Sequence, residues 1–204
     1  MQKGPLSVAL CVLLSPIHAL AASEAKPDVR IEYLAIFMDG AKIGHAVSTK
    51  TTTKETITTE EKMTLSLNRM GMALTANVTE RFVETIEGKP VRFKQEQDLG
   101  ITARTIEGEV NEQGMMTVTT RSGERERTRR LPWPKGAMMP AKLRRFQSGK
   151  GLDQGVQYTL KTFDISTQTA TETSVTVGGK RKTDLLSQPR MLTEIVSVSQ
   201  TPMG

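Results

Sequence analysis

Nucleophilic hydrolysis needs a thiol or hydroxyl beside a base that a third group orients, and the 204-residue chain holds one Cys and two His. Cys11 and His18 fall in an N-terminal segment that reads as removable, which leaves His45 as the imidazole of the mature chain. His45 follows the Asp39-Gly40 turn and reads as an exposed or edge-strand histidine, a base only in isolation. The Gly-x-Ser-x-Gly nucleophile turn is absent. A structural zinc site needs a cluster of Cys, His and carboxylate that one His without Cys cannot supply. The carboxylate pairs Glu80/Glu84 and Glu60/Glu61 have the type for acid-base work, but each lies in a Thr- and charge-rich strand where a solvated polar face is expected. The phosphate-cradling pattern Gly-x-x-x-x-Gly-Lys-Ser/Thr is missing, and Gly178-Gly179-Lys180 reads as a hairpin turn. No catalytic residue, metal or cofactor is therefore expected.

Binding chemistry is better represented. Arg125, Arg127 and Arg129 recur at a spacing of two, which sets three guanidinium groups on one strand face and Glu124 and Glu126 on the other. Such a row reads as a charged, solvated edge strand, or as a contact for an anionic lipid headgroup or envelope polymer. A row of Met63, Leu65, Leu67, Met72, Leu74 and Phe82 reads as core, with unbranched Met filling irregular gaps, or as the lining of a site for a lipid or acyl chain. The expected partners are a lipid, an anionic envelope polymer or a partner protein domain, and not nucleic acid.

These residues sit on strands. The chain has 27 Thr, and β-branched residues fit a pleated, half-solvated surface. From Ile57 the odd positions Met63, Leu65 and Leu67 are apolar against polar neighbours, and after a turn at Asn68 to Gly71 the apolar positions become even: Met72, Leu74, Ala76, Val78, Phe82 and Ile86. That period of two predicts long neighbouring strands with one wet face. Val29 to Met38, almost wholly apolar on both faces, predicts a hairpin through Asp39-Gly40. Shorter strands follow over 91–131, each bounded by Gly or Asn. Two prolines in Leu131-Pro132-Trp133-Pro134 interrupt the pattern, and Met139, Leu143 and Phe146 at i, i+4 and i+7 predict one short helix that starts near Pro140, ends near Gly149 and plugs one opening of the sheet. Strand patterns return at Val156–Phe163, Thr169–Val177 and Leu192–Val198. The expected fold is mainly β: a curved antiparallel meander, half-barrel-like, with one short helix.

Residues 1–21 set the expected location. Lys3, the apolar run Leu6 to Leu14, Pro16 and Ala19-Leu20-Ala21 form the charged, apolar and small-x-small parts of a secretory signal peptide, with cleavage after Ala21. The run is about half the roughly 20 residues needed to cross a bilayer, and no transmembrane segment is expected in the mature chain. Bulky Leu10 before Cys11 argues against a lipid-attachment box, and Asn77-Val78-Thr79 is a chance-level glycosylation sequon. Residues 22–204 then form a single β-rich domain, periplasmic or extracellular, with no Cys and 27 Lys+Arg against 22 Asp+Glu. Without cysteine it relies on its core for stability. Aromatics at 4% and charged residues at 25% suit a lean globular domain and argue against a membrane channel.

The stretch Tyr33-Leu34-Ala35-Ile36-Phe37-Met38-Asp39-Gly40-Ala41-Lys42-Ile43-Gly44-His45, then Phe82-Val83-Glu84-Thr85 with Gly88-Lys89-Pro90, resembles the β-rich N-terminal region that precedes a transglutaminase-like domain in exported bacterial proteins. It is also similar to exported half-barrel proteins of uncharacterised function. The resemblance spans about 29–202 and implies a binding or supporting β module. Those relatives carry a Cys-His-Asp triad further on, in a catalytic domain with no counterpart here. The chain is expected to be either that β module alone or one cut before the enzyme domain, and in both cases without transglutaminase or protease activity.

Overall fold

A computed structural model describes residues 26–69, 72–100, 102–185 and 188–200. The signal-peptide segment 1–21, with Cys11 and His18, lies outside the described residues. Eight strands run as an antiparallel meander in chain order: β1 (Asp28–Met38), β2 (Ala41–Thr52), β3 (Thr56–Arg69), β4 (Met72–Thr85), β5 (Pro90–Asp98), β6 (Ala103–Val110), β7 (Met115–Ser122) and β8 (Arg125–Pro132). The chain then forms α1 (Pro140–Ser148) and a second sheet of β9 (Gln157–Asp164), β10 (Thr169–Leu185) and β11 (Gln188–Gln200), ordered β11-β10-β9. The fold is thus mainly β with a short helix, as the alternation predicts. Among the described residues β1 and β8 do not pair, so the eight-stranded sheet does not close into a barrel.

Local chemistry accounts for the hairpins. Asp39 and Gly40 have φ of 51° and 77°, the pair of positive values that a type I′ two-residue turn requires, and they bring β1 back onto β2. Each register pairs residues whose side chains share a face. Met63 stands opposite Val78, Leu65 opposite Ala76, and Phe93 opposite both Phe82 and Gly108. Gly108 is needed there for space: a Cβ on it would lie 2.3 Å from Cζ of Phe93. The Phe93 ring therefore lies over the backbone of β6 at Gly108.

The core fills the inner face over β4 to β8. Phe82, Phe93, Ile106, Met116 and Val118 come from the sheet, Ala137 and Met139 from the segment before α1, and Phe163 and Ile165 from the end of β9 and the turn after it. Phe163 sits 4.8 Å from Phe93 and 4.4 Å from Trp133, centroid to centroid, in tilted contacts that add to area burial. The Pro-Trp-Pro interruption thus packs Trp133 against the core and leads the chain toward β9. Its continuation bonds to β9 through Met138, whose N–H donates to the Lys161 carbonyl and whose carbonyl accepts from the Phe163 N–H.

One turn prediction is wrong. Gly178-Gly179 does not reverse the chain: β10 runs through it for 17 residues, with a bulge where the register on β11 shifts between Val177 and Lys180. The reason is close approach, because a Cβ on Gly178 would lie 2.8 Å from a carboxylate oxygen of Glu194 on the neighbouring strand.

Candidate functional site

Helix α1 is held between the two sheets, and its first turn depends on a carboxylate from β4. Pro140 opens the helix and carries no N–H, Met139 at the N-cap provides no side-chain cap, and the next free donors are the N–H groups of Ala141 and Lys142. Both donate to Glu84, at 2.6 Å and 3.0 Å, and Leu143 N–H makes the first intrahelical bond to the Met139 carbonyl. Glu84 is 1% exposed. Burial pushes its carboxyl above the ordinary value, while the two N–H bonds and the nearby Arg145 and Lys142 charges pull it back. Arg144 reaches from the same helix to the carboxylate of Glu32 on β1 and to the Ser48 hydroxyl on β2, and Arg145 donates to the Ile86 carbonyl. Phe146 meets Tyr158 of β9 edge-on.

Glu80 shares the inner face with Phe82 and Glu84. Gln95, itself buried, donates to it at 2.6 Å, and Ser166 donates to the other end of the same Gln95 amide. Burial raises the Glu80 carboxyl above its ordinary value, and the charges of Glu61 and Asp164 push the same way, against the Gln95 bond. The solvated polar face expected for Glu80 and Glu84 is therefore a correction. Both occupy even positions of β4, which face the core, and each is accommodated by donors from distant parts of the chain. Glu60 does face outward, where Arg81 and Lys62 hold its carboxyl below the ordinary range.

His45 is exposed on β2 between Ala35 and Thr64. Among the described residues no three His, Cys, Asp or Glu gather in a way that could hold a metal ion.

Of the row of candidate lining residues, Met63, Leu65 and Leu74 lie in register on the inner face beyond the packed core, Met63 and Leu65 half-buried and Leu74 exposed. Leu67 and Met72 are placed on β3 and β4 opposite Leu74 and Arg69 respectively. Phe82 is separate from them, packed into the core cluster. A cleft of about 490 Å³ opens instead on the opposite face of the sheet, between Arg81, Val83, Arg92, Lys94, Glu107 and Glu109, and none of the six candidates lines it.

Arg125, Arg127 and Arg129 do share one face. They stand opposite Ser122, Thr120 and the core residue Val118, so the row points to the inner side of the edge strand β8. Arg129 is committed to Gln168, whose amide in turn donates to the Ile165 and Ser166 carbonyls. Among the described residues Arg125 and Arg127 form no ion pair, while Glu126 on the other face bonds Arg121, which also bonds Glu107. The residues that sequence reasoning missed are Gln95, Gln168 and Ser48. A buried polar side chain whose partner is 71 or 96 positions away leaves no periodic signal.

No family model and no curated protein matches the chain. Among solved structures it is similar to a β-barrel-like protein of the domain of unknown function DUF1849 from Brucella abortus, with a TM-score of 0.56 and 16% identity over 87% of this chain and 81% of that one. That likeness is one of fold: a β-rich, barrel-like architecture of uncharacterised role. The half-barrel side of the sequence resemblance agrees with it, and the transglutaminase-linked side has no counterpart in it. No helix among the described residues is long and apolar enough to cross a membrane.

Proposed function

We propose that this protein is an exported, non-catalytic β-rich module of the bacterial envelope that acts by binding or by supporting a partner domain. The observation that carries the reading is the division of the inner face. One part is filled by Phe82, Phe93, Phe163 and Met139, while the row beyond it stays partly exposed, with Met63 and Leu65 half-buried and Leu74 41% exposed. The two inner-face carboxylates have structural work: buried Glu84 binds the start of α1 and half-buried Glu80 binds Gln95. The signal-peptide pattern of residues 1–21 supports export. The test is to incubate the purified protein with peptide, ester and amine-acceptor substrates. No turnover is expected, and turnover lost in His45→Ala, Glu80→Gln or Glu84→Gln would overturn the reading.

The same partly exposed apolar row favours a more specific version, a carrier of lipid or lipoprotein acyl chains on the concave face. Native mass spectrometry of protein isolated from its host envelope decides it: a co-purifying lipid that is lost in Leu65→Asp supports the carrier, and a clean apo mass removes it. Kinship with the region preceding a transglutaminase-like domain rests on the Tyr33–His45 hairpin pattern. A reading frame that runs on past Gly204 into a Cys-containing domain would support it.

A further inference from the structure

The two edges of the eight-stranded sheet are built differently. An edge strand exposes unpaired N–H and C=O groups, and proteins blunt such edges with charge and Pro. β8 follows that rule: Arg125-Glu126-Arg127-Thr128-Arg129-Arg130-Leu131-Pro132 is nearly all charge and ends in Pro. β1 does not. Val29, Ile31, Tyr33 and Ala35 alternate along its outer face with no charge among them, Tyr33 is 80% exposed and Phe37, past the register shift, 59%, and the strand has 11 residues without Lys or Pro. Among the described residues it pairs with β2 alone.

We propose that β1 is the contact edge for a second copy of this chain, the two β1 strands pairing antiparallel about a two-fold axis at Ile31. The sequence around Ile31 is self-complementary in the sense that a two-fold demands. With Ile31 opposite its own copy, Val29 falls opposite Tyr33 on the outer face, and on the inner face Arg30 falls opposite Glu32, twice per dimer. Apolar cross-strand pairs and opposite charges directly across a ladder both stabilise an antiparallel pair. A two-fold normal to the sheet also keeps both inner faces on one side, with the apolar rows of the two copies at opposite ends of the seam and the Arg30–Glu32 pairs between them. Glu32 receives Arg144 at 3.0 Å and Arg30 lies 3.4 Å from Asp28, so both seam charges are already paired on the inner face within one copy, and the cross-copy pairs share these partners. The inference is independent of the carrier reading, because it concerns the edge and not what the face holds.

Charge complementation tests it on the full chain by sedimentation velocity over a concentration series. The unaltered protein is expected to dimerise. Arg30→Glu and Glu32→Lys should each weaken the dimer roughly tenfold or more, since each sets like charges opposite at two positions. Mixing the two variants should restore dimerisation as a heterodimer: at one end of the seam the introduced glutamate meets the introduced lysine, and at the other the unaltered Arg30 and Glu32 still face each other. Circular dichroism and melting of each variant report folding, so a misfolded variant cannot pass as a weakened dimer. In a Cys11→Ser background, Ile31→Cys should oxidise readily to a disulfide-linked dimer and Tyr33→Cys should not, since the two copies of position 33 are four places apart along the seam. A monomer up to roughly 1 mM overturns the proposal. So does a dimer indifferent to Arg30→Glu, one that cross-links equally through Tyr33→Cys, or one abolished by Ile195→Lys on β11 but not by Ile31→Lys.

Discussion

The carboxylate of Glu84 accepts the Ala141 N–H at 2.6 Å across 57 positions of sequence, and with the Lys142 bond it closes the open end of α1. A helix of nine residues is too short to hold itself in water. Its persistence rests on this bond, on Met139 in the core and on Arg144 reaching β1 and β2. Glu84→Ala leaves the buried Ala141 N–H and the part-buried Lys142 N–H without acceptors, and the expected loss is about 2–3 kcal/mol. Glu84→Gln, which keeps one acceptor oxygen, should lose about half as much. Urea unfolding followed by circular dichroism measures both.

Glu80 predicts a pH dependence. Its folded-state carboxyl is raised by burial, so the folded state binds the proton more tightly than the unfolded chain. The associated stability is fully present below the unfolded value and is lost as pH rises through the raised folded value. Glu80→Gln removes that titration. The difference in stability between variant and unaltered protein should shift in favour of the variant as pH climbs from the ordinary carboxylate value upward. Melting curves at steps of pH in the two proteins read the difference directly, and parallel curves would contradict the prediction.

Gly108 holds open the space that the Phe93 ring occupies. Gly108→Ala places a methyl group 2.3 Å from Cζ of Phe93, so the ring or the strand must move, and the expected cost is about 1–3 kcal/mol. Phe93→Leu loses ring packing on its own. In the double variant the two losses should fall short of additive, because the clash has gone. A double-mutant cycle measures that coupling.

Thr59 lies on the inner face opposite Phe82, 2% exposed, and its hydroxyl has no partner among the described residues. Thr59→Val keeps the shape and removes the unpaired oxygen. A gain of about 1 kcal/mol is expected, seen as a higher urea midpoint with an unchanged slope.

The arginine row divides by what it touches. Arg129→Ala should cost stability because Gln168 is buried beneath it, whereas Arg125→Ser with Arg127→Ser should leave stability within about 0.5 kcal/mol. If an anionic surface is the partner, the same double variant should bind vesicles of anionic lipid more weakly than the unaltered protein at low salt, with the difference shrinking as salt rises. Flotation with phosphatidylglycerol vesicles tests this.

Local pattern was enough for the elements. Alternation at Met63, Leu65 and Leu67, the Asp39-Gly40 turn, and Met139, Leu143 and Phe146 behind Pro140 depend on near neighbours, and each appears as expected in β3, the β1–β2 hairpin and α1. It failed at Gly178-Gly179, where the same two glycines serve a turn or a bulge and the neighbouring Glu194 decides.

What the sequence alone determined about this protein is its β-rich meander, its short helix, the three-arginine face of β8 and the scarcity of nucleophile and base, because period, turn chemistry and composition are properties of adjacent residues. Only the tertiary structure decided that Glu84 is a buried helix cap, that Phe82 belongs to the core while Met63 and Leu65 extend beyond it, and that β1 is an edge apolar on its outer face and β8 a charged one. Those facts depend on which distant strand lies alongside, and burial is a property of the assembled sheet that no single strand carries.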